Sequence, residues 1–232
     1  PPYALDNFRC DDHLEDWGIP IGPWRSVGNT HTCFAVESFM DECAHAAGID
    51  PVVYRRRLME PANPRLLNCL EMVADRADWG RQMGDRQGQG VGAWTCFGGY
   101  GAMVADVTVA DDGTVTVDRV VAVMDHGIVV NPEAVRSQIE GGIVLSLTAT
   151  LKAEVHIENG GAKESNFHDH PILNIGEMPL VEVHFVESTE RPGGVGEPPV
   201  PPPVPAVCNA IFAATGVRIR ELPVDKALLR ST

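Results

Sequence analysis

Glu197 stands between two unusual runs, Gly193-Gly194-Val195-Gly196 before it and Pro198-Pro199-Val200-Pro201-Pro202-Pro203 after it. Glycines reach positive φ and let a backbone come close to another group. Prolines fix φ and remove backbone donors, which stiffens the exit from the loop. A carboxylate on such a support is placed for general-base chemistry. The same residues also describe an exposed Gly/Pro loop with an incidental Glu. Three other constellations could carry chemistry. His168-Asp169-His170 would aim two imidazoles the same way on a strand, as metal ligands must. Asn166, Phe167 and Pro171 flank them as a loop would. Asp125-His126-Gly127 holds half of a catalytic dyad, but adjacent strand residues face opposite ways. The expectation there is a strand end with His126 hydrogen-bonded and neutral. The glycines from Gly84 to Gly101 lack a Gly-Lys-Ser/Thr ending and follow no strand, so they are not a phosphate-cradling loop. Gln87-Gly88-Gln89-Gly90 reads as a turn lining a polar ligand or a neighbouring chain. No Gly-x-Ser-x-Gly elbow occurs, and Ser26 and Ser38 have no evident base partner, so an unrelated hydrolase is a weak reading.

The 232 residues have room for one large core or two small domains, and the 44% apolar fraction is ordinary for a globular protein. A formal charge of −14 argues against a nucleic-acid-binding surface, which needs a basic face. No apolar run is long enough to span a bilayer and no signal-peptide pattern opens the chain. Nothing in the residues separates a cytoplasmic from a periplasmic setting. The start, Pro1-Pro2-Tyr3, lacks an initiator Met and reads as a fragment or a processed product. Six cysteines (Cys10, Cys33, Cys43, Cys69, Cys96 and Cys208) form no Cys-x-x-Cys pair and lie in apolar stretches. They are expected to be buried, reduced thiols rather than zinc or iron–sulfur ligands.

The elements that must position these groups follow from periodicity. Residues 1–23 look irregular. Phe34, Met40, Cys43, Ala44 and Ala47 share a helical face, with Gly48 as the stop. Asp50-Pro51 is an N-cap followed by Pro at N1, leading into a short basic helix from Tyr54 to Leu58. Asn63-Pro64 repeats the signal before the stripe Leu66, Leu67, Leu70, Val73, Ala74 and Ala77. At Gly80 the pattern changes to strands. Met103 to Val109 and Val115 to Met124 alternate about the turn Asp111-Asp112-Gly113 and form a hairpin. Asn131-Pro132 caps a helix to about Leu151, with Gly141-Gly142 inside it at about 1 kcal/mol per glycine relative to Ala. That cost points to close approach of an element or a ligand. Ala153 to Ile157, Leu180 to Val186 and Arg218 to Leu222 are strand candidates. A last helix runs from Val204 to Ala214, stopped by Gly216. Helices and strands mix without a repeating βαβ unit, which predicts an α+β fold with antiparallel strands. The organisation divides at Gly80 into a loop-and-helix segment, 1–79, and an α+β segment, 80–232.

Taken in order, several segments resemble a known family. Pro23-Trp24-Arg25-Ser26-Val27-Gly28 leads into Phe34-Ala35-Val36-Glu37-Ser38-Phe39-Met40-Asp41-Glu42. Val130-Asn131-Pro132 leads into Gln138-Ile139-Glu140-Gly141-Gly142. Glu164-Ser165-Asn166-Phe167 precedes the loop of residues 193–199 and the stretch Asn209 to Gly216. The set is similar to the C-terminal part of a molybdenum hydroxylase large subunit, in the xanthine dehydrogenase/aldehyde oxidase superfamily, of the isoquinoline 1-oxidoreductase β-subunit type. The likeness runs from about Gly18 to Pro223.

The resemblance implies a molybdopterin-binding-domain type of fold and roles by position. Glu197 matches the active-site Glu beside molybdenum. Gln138 matches a pterin-contacting Gln, with Gly141, Gly142 and Gly196 beside the cofactor. Arg25 matches the arginine of an Arg-Gly-Phe-Gly loop that passes the cofactor, although Ser26 and Val27 stand here in place of Gly and Phe. Trp24, Gly98, Gly99 and Tyr100 are expected to line the substrate pocket. No protein side chain is expected to ligate the metal. The implied reaction hydroxylates an N-heteroaromatic or aldehyde carbon with oxygen from water, Glu197 acting as base. The implied cofactor is molybdopterin with molybdenum, in its cytosine dinucleotide form. The implied partners are the N-terminal half of the large subunit, which carries a Met-Gly-Gln-Gly segment absent from this chain, a [2Fe–2S] subunit, and a cytochrome or flavin electron acceptor. The alternative is a non-catalytic interaction or structural subunit of the same fold.

Overall fold

The computed structural model describes residues 1–232 apart from residues 14, 17 and 232. Its centre is a four-stranded sheet in the order β1-β2-β3-β6, made of β1 (Gln87–Cys96), β2 (Gly99–Val109), β3 (Val115–Asp125) and β6 (Leu180–Phe185). The first three strands form an antiparallel meander, while β6 runs parallel to β3, so the sheet is mixed. The hairpin is as expected: Gly113 takes φ +86° and Asp112 accepts the Thr114 amide. Helices α1 (Asn29–Ala46), α2 (Pro51–Met59) and α3 (Pro64–Arg76) precede the sheet, and α4 (Pro132–Leu151) and α5 (Pro203–Thr215) follow β3 and β6 respectively. The caps are those the sequence marks. Asp50 accepts from Val52 and Val53, Asn63 from Leu66 and Asn131 from Ala134, each with Pro at the first turn.

Strand alternation divides the core in two. Val91, Ala93, Ala102, Val104, Val121 and Val123 face Met59, Leu66, Leu70 and Val73 of α2 and α3. Met103, Ala105, Val120, Ala122 and Met124 face Ile139, Ile143 and Leu147 of α4 and Val207 and Ile211 of α5. Residues on both sides of Gly80 thus share one core.

Gln87 to Gly90 is not a turn but the start of β1. Gly88, Gly90 and Gly92 alternate along it, and a Cβ at any of them would collide with the backbone of α5, at Ala210, Ala206 and Pro202 in turn. The stripe brings a helix directly onto the sheet, and the helix belongs to a segment over 100 residues later. β1 is an edge strand, and its outward groups are covered. Glu37 of α1 accepts the Ala93 amide at 3.0 Å, and Asn209 of α5 donates to the Val91 carbonyl at 3.1 Å.

Other expectations are corrected. Between Ala153 and Ile157 there is no full strand; Ile157–Glu158 (β4) pairs only with Gly161–Ala162 (β5). Arg218 to Leu222 is irregular, because Arg218 and Arg220 are drawn to Asp41 and Glu42 of α1 instead. The basic helix is longer than expected and not wholly exposed. Arg55 is fully buried and ion-paired with the equally buried Glu37 at 2.9 Å, with Tyr3 donating to the same carboxylate. All six cysteines are unpaired, but only Cys33, Cys69 and Cys208 are buried; Cys43 and Cys96 are half-buried and Cys10 is exposed.

Candidate functional site

Three segments far apart in sequence meet at the loop that carries Glu197. The first precedes α1. Ser26 and Val27 take φ +78° and +51°, a left-handed turn that favours glycine, and the resembling family loop has glycine at the position of Ser26. Serine is kept there by what it does: the fully buried hydroxyl donates to the Glu197 carbonyl at 2.5 Å. The turn aims Arg25 at the second segment, the exposed first half of α4. The Arg25 guanidinium donates to the Gln138 carbonyl and to its side-chain Oε1, both at 3.1 Å, and its Nε donates to the Gly196 carbonyl. Burial lowers the Arg25 pKa, and the nearby Glu197 carboxylate opposes that shift.

The third segment is the β1–β2 turn. Gly194 donates to the Phe97 carbonyl at 2.8 Å, and Gly193 is packed so closely on Gly98 that a Cβ there would strike the Gly98 backbone. A Cβ at Gly99 would lie 2.7 Å from Pro198 Cγ. Gly98 and Gly99 thus seat the Glu197 loop. Cys96 faces the same region. Burial and the Glu197 charge push its thiol up to about 12, so it is protonated at neutral pH.

Glu197 itself is half-buried, and among the described residues its carboxylate makes no hydrogen bond or ion pair. The amides of Val195, Gly196 and Glu197 likewise donate to no acceptor among the described residues. The Gln138 amide nitrogen is unused, and Gly141, one turn further along α4, faces open space with nothing within 4 Å of its Cβ position. The result is a rim of unused donors around a free carboxylate, with a bare helix face beside it. It can take a flat ligand rich in acceptors, with a base within reach.

Not every expected residue joins this rim. Gly142 is turned inward, where Pro199 Cγ lies 2.9 Å from its Cβ position, so its close neighbour is the chain itself. Tyr100 alternates with Gly99 and points to the other sheet face, where Arg65 stacks 4.3 Å from its ring centroid. Trp24 adjoins Arg25 and is 42% exposed. His126 is buried, but neither ring nitrogen has a hydrogen-bond partner, which corrects the expected bond; burial holds its pKa below the ordinary value, so it is neutral. His168-Asp169-His170 is a turn in which Asp169 accepts the Ser165 and Asn166 amides. Among the described residues no group of three or more His, Cys, Asp or Glu could hold a metal ion, and no helix is long and apolar enough to cross a membrane. Ser26 and Cys96 are members of the site that motif and spacing do not single out; a non-glycine in a turn between Arg25 and the start of α1 is the available signal for Ser26.

Comparison with known proteins places this arrangement. The profile of the molybdopterin cofactor-binding domain family matches residues 71–179, which include Gln138 and Gly141 but not Arg25 or Glu197. The large catalytic-family chain of nicotinate dehydrogenase from Pseudomonas putida is 35% identical over all of this chain, which covers 21% of that protein. The β-chain of isoquinoline 1-oxidoreductase from Brevundimonas diminuta is 33% identical over 97% of this chain, and 29% of that protein is covered. The chain therefore spans less than a third of the length of these curated relatives. In fold, it matches the crystal structure of quinoline 2-oxidoreductase from Pseudomonas putida 86 with a TM-score of 0.78 at 15% identity, over 88% of this chain and 52% of that one. The aldehyde oxidoreductase of Desulfovibrio gigas gives 0.72 at 17% identity, over 89% and 41%.

Proposed function

The chain belongs to the molybdopterin cofactor-binding family of the molybdenum hydroxylase large subunits, and on that premise we propose that it forms the base-bearing wall of the active site of a hydroxylase acting on an N-heteroaromatic or aldehyde carbon. The observation that carries the reading is the Arg25 clasp. One guanidinium joins Gln138, on the open face of α4, to the peptide immediately before Glu197. A ligand lying on α4 is thereby brought next to a free carboxylate.

The residues present fit a pterin. The unused Gln138 amide can donate to a heterocycle edge while its oxygen stays on Arg25. Gly141 leaves the helix surface bare where a ring would lie. The amides of Val195, Gly196 and Glu197 offer donors to oxygen acceptors. When bound, the molybdenum cofactor supplies a metal centre that activates oxygen from water and takes up the electrons of the reaction. Glu197 removes the proton in that step. Its carboxylate, half-buried and without an ion pair, is ready to accept it. Arg25 and Ser26 hold the loop by its backbone and leave the carboxylate free. The protonated Cys96 thiol adds no competing negative charge.

The cytosine dinucleotide form of the cofactor, a [2Fe–2S] subunit, the N-terminal half of the large subunit and a cytochrome or flavin acceptor complete the proposal. They rest on the family likeness together with a cysteine set in which none pairs as Cys-x-x-Cys. The test is co-expression of the chain with those parts, followed by metal analysis. Molybdenum in the purified assembly, lowered by Gln138→Ala while far-UV circular dichroism is unchanged, supports the reading. A stable assembly without molybdenum would favour a structural role.

A further inference from the structure

His126 is the one large polar side chain of the core whose hydrogen-bonding groups are both left unmet among the described residues. It is 2% exposed, and neither Nδ1 nor Nε2 has a partner. Buried polar groups are nearly always bonded, so an exception at a site calls for a reason. Its surroundings supply one. Cys96, Gly99 and His126 form a cross-strand row, since Cys96 pairs with Gly99 and the β2–β3 register places Gly99 opposite the residue after Asp125. The middle member has no side chain. The point a Cβ would occupy at Gly99 lies 2.9 Å from His126 Nδ1, 2.9 Å from the Gly194 carbonyl and 2.7 Å from Pro198 Cγ. The imidazole therefore leans over Gly99 and against the two residues that bracket the turn into Glu197.

The backbone around His126 grips the same loop. The His126 carbonyl accepts the Gly193 amide at 2.7 Å, and Ile128 donates to the Glu190 carbonyl at 3.0 Å. Gly127, at φ +72°, is pressed on the Glu190 and Arg191 carbonyls. Asp125 fixes this strand end from below. It receives both Arg65 nitrogens, at 2.8 and 2.6 Å, and the Gly127 amide at 2.9 Å.

We propose that His126 is a positioning residue for Glu197: its neutral ring, seated in the space left at Gly99, sets the height of the 193–198 loop and keeps an N–H available for the Gly194 carbonyl when that loop closes on a ligand. The inference rests on the reading of Glu197 as the base. The groups around the ring fit a neutral seat. Asp125 beside it and the Gly194 carbonyl favour the cation, while Arg65 from α3 and burial oppose it, and burial is the largest influence. Glu190 and Arg191 face the strand end from the loop, and Cys96 and Glu197 stand on the far side of Gly99.

The experiment uses the assembled, molybdenum-containing enzyme with His126→Phe and His126→Asn, and Glu197→Gln as reference. Phe keeps the shape of the ring, and Asn keeps a polar atom near the Nδ1 position. The expected result is that His126→Phe lowers kcat per molybdenum by about 10- to 100-fold with KM changed less than about threefold. His126→Asn restores much of the loss. The acid limb of the kcat profile loses the contribution of the histidine in the Phe variant. Unchanged kcat per molybdenum and an unchanged pH profile in His126→Phe, with Glu197→Gln inactive, would overturn the positioning role alone. An active Glu197→Gln would overturn the underlying reading instead.

Discussion

The Arg25 guanidinium and the Gln138 side chain are hydrogen-bonded at 3.1 Å across 113 positions of sequence, and the same guanidinium holds the Gly196 carbonyl. One planar fork thus sets the distance between α4 and the Glu197 loop. A lysine offers a point charge and cannot span both partners. Arg25→Met removes hydrogen bonds from a charged donor, each of about 1.5–3 kcal/mol. The expected outcome is a loss of roughly 10- to 100-fold in kcat/KM, with Arg25→Lys recovering little. Steady-state kinetics normalised to molybdenum content checks it. Full activity in Arg25→Lys would mean that charge alone suffices.

Two glycines give opposite expectations. At Gly90 a Cβ would enter the α5 backbone at Ala206 and Ala210, which cannot swing aside as a side chain could. Gly90→Ala should cost at least about 1–3 kcal/mol, read as a lower thermal midpoint. At Gly141 the Cβ meets nothing within 4 Å. Gly141→Ala should therefore stabilise the helix by up to about 1 kcal/mol while lowering cofactor content. A stabilised variant with full molybdenum would show that no ligand lies on Gly141.

The ion pair between Glu37 and Arg55 has no solvent access on either side chain. Glu37 also accepts the Ala93 amide of the sheet edge. Removing one partner leaves a buried, uncompensated charge, so Arg55→Met should cost about 3–5 kcal/mol. The double variant Arg55→Met with Glu37→Gln should be less damaged than the single one. Urea unfolding of the three proteins measures the difference, and additive losses would contradict the pairing.

Acid should weaken the fold in two stages. His126 and His184 are held below the ordinary histidine pKa by burial. Their unfolded forms bind protons first, so stability is complete above about 6.5 and declines as pH falls below it. At Asp125 burial acts upward, but the Arg65 bonds and the Gly127 amide outweigh it and hold the carboxyl low. Glu182 is held low by Arg119. These contributions persist until pH drops below the unfolded carboxylate range near 4. His156, raised by Glu164, acts in the opposite sense but is exposed. Thermal midpoints from pH 8 to 3 should fall in both windows, and His126→Phe should shrink the upper one. An unchanged upper window would assign it elsewhere.

What can be read from the residues is local. The caps at Asp50, Asn63 and Asn131 and the turn at Gly113 are set by neighbours within four positions, and each forms as expected. The Gly88-Gly90-Gly92 stripe reads as a turn because its partner, α5, lies more than 100 residues on. Glu37 and Arg55 look like solvated charges, since nothing in either helix reveals that each satisfies the other in the core. In the site, Glu197, Gln138 and Arg25 stand out by their motifs, and the structure brings them together. Tyr100 is misplaced by one step of strand alternation. Cys96 and the unbonded ring of His126 depend on the row they make with Gly99, which only the register discloses.

The central claim is that Glu197 is the base, and Glu197→Gln in the assembled enzyme tests it most directly. Gln keeps the size of the side chain and removes its basicity, while the Ser26 and Arg25 bonds, which go to backbone carbonyls of Glu197 and Gly196, stay in place. Turnover per molybdenum is the measurement. The account predicts normal metal content and a fall of at least about 100-fold in kcat. Near-normal turnover at normal molybdenum content would contradict it.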